Sequence, residues 1–133
     1  MSIPGLDAWL SSPAGKYLLA WELKQVDDAV TDIFGFNALQ VGLPHGDFLR
    51  ANRIPLRQKA GHFGAVDVLC ECSALPFASH STDLVVMPHV LEFSEEPHQI
   101  LREIERILIP DVRPEHAEQR RVAVYLDEVL DDQ

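Results

Sequence analysis

The chain of 133 residues predicts an α/β fold with a mostly parallel sheet. Three observations lead there. The run Leu84-Val85-Val86-Met87-Pro88 is apolar without alternation, as in a strand buried on both faces. Two segments, 12–33 and 94–110, carry apolar residues at helical spacing. Helix and strand patterns follow one another as helix, three strands, helix, strand, in the manner of crossover-connected parallel sheets.

The first helix pattern is SPAGKYLLAWELKQVDDAVTDIF. Ser12 suits the cap and Pro13 the first turn, where its missing N–H costs nothing. Leu19, Leu23, Val26, Val30 and Ile33 form one apolar stripe, which Tyr17, Leu18 and Trp21 are expected to widen, and Gly35 suits a stop. Phe36 to Val41 predicts a buried strand, broken by Gly42, Pro44 and Gly46. Residues 47–64 hold Arg50, Arg53, Arg57 and Lys59; DFLRAN reads as a short helix and the remainder as a loop or weak strand. This basic stretch is expected to be a solvated surface, or to pair with the acidic C-terminal tail or an anionic ligand. AVDVLCEC predicts the second strand, with Val66, Val68 and Cys70 on one face. SALPFASHST is turn-like, and Asp83 suits an anchor before the strand DLVVMPHV. In SEEPHQILREIERILIP, Ser94 is the expected cap, Glu95 and Glu96 suit the positive end of the helix, and Arg102 and Arg106 the negative end. Ile100, Leu101, Ile104, Ile107 and Leu108 make its buried stripe, and Pro110 ends it. RRVAVYLDEVL alternates β-branched residues and favours a last strand over a helix.

Length fits one domain over 1–133, with a helical part at 1–34 and a polar connection plus last element at 111–133. Apolar residues at 47% and charged residues at 24% are an ordinary globular balance. The net charge of −10, from 21 acids against 11 Lys and Arg, argues against nucleic acid and against an anionic membrane surface. Cys70 and Cys72 are too close for an easy disulfide and have no second pair to complete a zinc site, so reduced thiols and a cytoplasmic location are expected. The segment MSIPGLDAW shows no leader pattern, and no apolar run approaches a membrane span. The six histidines form no HxH, HxxxH or HxxE pattern, so no metal is expected.

Strands of this kind deliver ligand-binding residues at their carboxyl ends. Gly42, Glu71 and the 88–92 cluster fall at such ends. The stretch from Glu71 to Pro110 also resembles the central segment of S-adenosylmethionine-dependent methyltransferases of the Rossmann-like class, type 11-like. The resemblance rests on Glu71, Leu75-Pro76-Phe77, Thr82-Asp83-Leu84-Val85-Val86, His89-Val90-Leu91-Glu92-Phe93 and a helix ending Ile107-Leu108-Ile109-Pro110. It implies a three-layer sandwich, reduced in size, with S-adenosylmethionine as cofactor. Glu71 would lie near the adenine with Cys72 beside it, Pro88 and His89 would line the methionine side, and Gly42 and Leu43 would begin the first cofactor loop. The strands finishing at Glu71 and His89 are expected to be neighbours opening on one cleft.

Three features depart from the family's pattern. The loop Gly42-Leu43-Pro44-His45-Gly46 is poor in glycine, so side chains at 43–45 are expected to crowd the cofactor's approach. The acid that usually follows the second strand is missing. Residues 111–133 leave little room for the family's later strands, which reads as a truncated or reduced domain. The functional expectation is a methyltransferase-like protein acting on a small molecule, with His89 as the catalytic candidate, a general base or cofactor-lining group. The alternative is a non-catalytic relative serving as an interaction or dimerisation module. An open sheet edge predicts a homodimer, or strand exchange through 120–127.

Overall fold

The computed structural model describes residues 6–110 and 122–126. Helices α1 (Leu6–Ser11) and α2 (Pro13–Val30) precede strands β1 (Asn37–Val41), β2 (Leu56–Gly61), β3 (Val68–Leu69) and β4 (Leu84–Pro88). A short 3-10 turn (Leu91–Phe93), helix α3 (Pro97–Ile107) and strand β5 (Val122–Leu126) follow. The sheet order is β3-β2-β1-β4-β5, and every pairing between these strands is parallel.

Alternate residues of the central strands point to opposite layers, as the period of a strand requires. Leu39, Val41, Val85 and Met87 pack with Ile100, Ile104 and Ile107 of α3. Ala38, Leu84 and Val86 pack with Val26 and Val30 of α2, and with Phe48, Leu49 and Ile54. The result is the α/β sheet that the apolar runs predict, in the three layers that the family resemblance implies.

Helix α2 starts as its sequence indicates: the Ser12 hydroxyl accepts from Gly15 N–H at 3.1 Å, and Pro13 opens the first turn. Its exposed side differs from expectation. Tyr17 is 76% and Trp21 49% exposed, whereas Glu22 between them and the core stripe is 2% exposed. Gly35 is not the stop; the helix closes at Thr31, whose N–H donates to Asp27 O. Helix α3 begins at Pro97, later than expected, and Ser94 caps nothing in it; the Ser94 hydroxyl accepts from Glu96 N–H in the preceding turn. Leu101 is only partly buried.

The largest correction concerns residues 47–72. DFLRAN forms successive turns rather than a helix, held by Arg50 N–H to Asp47 O and Asn52 N–H to Leu49 O. The second strand is LRQKAG, in register with β1 from Asn37↔Leu56 to Val41↔Ala60. AVDVLCEC supplies only the two-residue edge strand β3. Of the loop and the weak strand that the sequence allows here, the strand forms; its signal is weak because its outer half faces solvent and only Ala60 and Gly61 are buried. Arg50 meets Asp27 of α2 through three N–H···O contacts of 2.8–3.1 Å, so this cation is paired within the fold. The acidic tail lies outside the described residues.

Asp83 does anchor the sheet. Its Oδ2 accepts from Phe36 N–H at 2.8 Å and Asn37 N–H at 3.1 Å, tying the start of β1 to the start of β4. β5 is a strand, as its alternation favours.

Candidate active site

A cleft of about 180 Å³ opens where β1 and β4 diverge toward opposite sides of the strand order. Such a switch point is where open α/β sheets bind ligands. Its walls come from the carboxyl ends of four strands: Gly42 and Leu43 after β1, His62 and Phe63 after β2, Glu71 to Ser73 after β3, and His89 and Val90 after β4. Phe93 to Glu96 and Ile100 complete it. Glu71 and His89 therefore share one cleft, although their strands are not neighbours; β2 and β1 lie between β3 and β4. Pro88 ends β4 and is not among the lining residues.

The loop after β1 is built from Gln40. This side chain is fully buried in the strand. Its Nε2 lies 3.2 Å from Gly42 O, 3.0 Å from Leu43 O and 2.9 Å from Gly46 O, so two hydrogens are shared among three carbonyls. Its Oε1 accepts from Phe48 N–H at 2.8 Å. Buried backbone groups need partners, and one amide supplies four contacts here. Gly42 sits at φ +81°, and a Cβ there would fall 2.4 Å from Val90 Cγ2. Leu43 also has a positive φ, +41°, which costs a leucine about 1–2 kcal/mol. It turns its side chain into the α2-side core, at 6% exposure, instead of filling the cleft. The expected crowding at Leu43 is thereby reduced.

His89 sits at φ +54°, directly after β4. Its Nε2 lies 2.6 Å from Glu22 Oε2, with the two side chains 15% and 3% exposed. Sequence reading passed over Glu22, which interrupts an otherwise apolar helical stretch. It also passed over His62, whose Nε2 is buried and has no hydrogen-bond partner. Finding His62 required knowing that β2 ends at Gly61. Burial raises both thiols, and Cys72 is pushed up to about 11, so it stays protonated near neutrality. Both cysteines are free.

The turn Leu75-Pro76-Phe77 is clamped by α3. Glu103 Oε1 accepts from Leu75 N–H at 2.8 Å, while Arg106 donates to Leu75 O and Phe77 O, each at 2.9 Å. Arg106 also pairs with Glu103, and that contact is the main cause holding the Glu103 carboxyl below its ordinary value. The lining residues include Glu71, Glu95 and Glu96 but no Lys or Arg, so the cleft's field favours a cationic ligand. No group of three metal-ligating side chains occurs among the described residues. No helix among them is long and apolar enough to cross a membrane.

Residues 49–113 match a family model described as a methyltransferase domain. The central segment is similar to that family, and the described sheet has a Rossmann-like strand order. An uncharacterized protein of Escherichia coli strain K12, YafS, is 32% identical over 108 residues, covering 79% of this chain and 45% of that protein. Among solved structures, a chain from the complex between the Haloferax volcanii Trm112 methyltransferase activator and a protein described as a methyltransferase has a TM-score of 0.57. That match has 24% identity over 79% of this chain and 54% of the other. The 4+2 cyclase SpnF has a TM-score of 0.52 at 21% identity, over 68% of this chain and 41% of its own. The chain thus spans about half the length of the relatives it matches. A cyclase beside methyltransferases shows that this fold hosts more than one chemistry.

Proposed function

We propose that this methyltransferase-like chain binds S-adenosylmethionine in the switch-point cleft and acts on a small molecule. The observation that carries the reading is the convergence of Gly42, Glu71 and His89 on one cleft at the carboxyl ends of the sheet. The residues fit such a ligand. The acidic lining suits a sulfonium cation, and the unpartnered buried Nε2 of His62 offers a hydrogen bond to a polar group. Gly42 and Leu43 would hold the ligand from the β1 side, Glu71 and Cys72 from the β3 side, and His89 from the end of β4. The enclosed 180 Å³ is below the roughly 300–1,000 Å³ of a full small-molecule site, so the ligand would extend beyond the cleft.

When bound, the cofactor supplies an already activated methyl group, which leaves alignment and water exclusion to the protein. His89, on the cleft wall, would meet the ligand and accept a proton from an acceptor N–H or O–H. Calorimetric titration with S-adenosylmethionine and S-adenosylhomocysteine tests the reading. Micromolar binding, weakened about tenfold in Glu71→Ala, is the expected result. Absence of heat and of a thermal shift at millimolar ligand would refute it.

A second reading is a non-catalytic relative that serves as an interaction or dimerisation module. Two observations favour it: Pro44 offers no amide within the cofactor loop, and β5 pairs only with β4 among the described strands. The Haloferax neighbour was solved with an activator protein, which makes a protein partner a natural alternative to a second copy. Sedimentation velocity distinguishes these readings: a dimer supports edge pairing, and a monomer at high concentration removes it.

A further inference from the structure

Glu22 is a carboxylate that α2 buries. It lies on α2 between the exposed Trp21 and the apolar stripe, is 2% exposed, and has the His89 ring as its close partner. Burying a carboxylate carries a desolvation cost, and an apolar side chain at such a position is often neutral or stabilising. The geometry instead joins α2 to the cleft wall, because His89 lines the cleft. We propose that Glu22 is a positioning residue for His89, holding the imidazole proton on Nε2 and the ring in its place on the cleft wall. This rests on the reading above only in assigning a cofactor to the cleft.

The reasoning follows from imidazole chemistry. A carboxylate oxygen 2.6 Å from Nε2 accepts a hydrogen bond, so Nε2 carries the proton whether the ring is neutral or charged. In the neutral ring Nδ1 is then the basic nitrogen. Histidines whose tautomer is set by a neighbouring carboxylate are held in one orientation, which loosely held rings are not. The positive φ of His89 makes the same demand on the backbone: the residue leaves the strand in an uncommon conformation, and an anchored side chain fixes where the ring ends up. The other titratable groups that line the cleft with His89 are His62 from the end of β2, Glu71 and Cys72 from the end of β3, and Glu95 and Glu96 from the approach to α3.

The test uses the full chain labelled with nitrogen-15. Long-range imidazole spectra are expected to show His89 as a single neutral tautomer protonated at Nε2. Glu22→Gln keeps an accepting oxygen and should retain that tautomer. Glu22→Leu should give a mixture of tautomers while its thermal midpoint stays level or rises. In parallel, S-adenosylhomocysteine affinity should fall about tenfold in Glu22→Leu and less than threefold in Glu22→Gln. A wild-type His89 protonated mainly at Nδ1, or a Glu22→Leu chain with unchanged tautomer, would overturn the proposal. The wild-type spectrum decides even where a variant does not fold. If no chain binds S-adenosylhomocysteine, the cofactor reading fails and the tautomer result alone decides the role of Glu22.

Discussion

The two faces of the sheet are packed by different chemistry. On the α3 face, Ile100, Ile104 and Ile107 meet Leu39, Val41, Val85 and Met87 in one apolar cluster. On the α2 face, the apolar cluster is interrupted by Glu22, Gln40 and Asn52, each 2% exposed or less. Asn52 donates to Val30 O and Ile33 O, and Gln40 holds the loop after β1. One face is assembled by burial of area, the other by placing a few polar groups where backbone turns need them. The difference separates two ways of building: the α3 layer is held by apolar area, with Ile100 at its end also lining the cleft, and the α2 layer fixes the loop after β1 and the His89 ring.

That division is open to direct attack. The largest expected effect is Ile104→Ala in the α3 layer. Removing a fully buried isoleucine side chain should cost about 3 kcal/mol in urea denaturation. If the division holds, S-adenosylhomocysteine affinity changes less than twofold in the folded fraction. A tenfold loss would mean that the two faces are not separable. Next in size is Gln40→Leu, which leaves buried carbonyls of Gly42, Leu43 and Gly46 without this donor. A loss of about 2 kcal/mol is expected, with a larger fall in ligand affinity than Ile104→Ala gives. The reverse ranking would assign the loop to the scaffold.

The smallest effect is Glu103→Gln, which weakens the clamp between α3 and the turn at 75–77. Because the folded carboxyl is held below its ordinary value, its contribution is present above the unfolded value of about 4.3 and is lost as pH falls through the folded one. Wild type should therefore lose more stability than the variant between about pH 5 and pH 3, and differ by under about 1 kcal/mol at pH 7, given how exposed the Arg106 partner is. Thermal midpoints across that range check it. Parallel curves would show that the ion pair is formed equally in the unfolded chain.

The same contrast explains what the sequence reveals. The α3 layer was legible because isoleucines at three- and four-residue steps report burial directly, and β4 because an unbroken apolar run does the same. Glu71 and His89 were legible through the family's spacing, and both line the cleft. The α2 layer was harder to read. Its deciding residues are polar, and a buried Gln40 or Glu22 looks like any surface residue until its partners are known. The strand LRQKAG was legible only as a loop or weak strand for a related reason: its outer half is exposed, so β2 owes its position to pairing with β1 rather than to apolar content. Tyr17 and Trp21 erred the other way, since an aromatic beside the stripe need not belong to it.

The clamp at Asp83 bears on how the chain emerges from the ribosome. Its carboxylate meets an amide 47 positions earlier, and the middle strand gains its second neighbour only through β4. A nascent segment stopping short of residue 83 would carry β1 with one side unpaired. Order in the centre of the sheet must therefore wait for the later half of the chain, and until then Ala38, Leu39 and Val41 lack the cover that the folded sheet gives them.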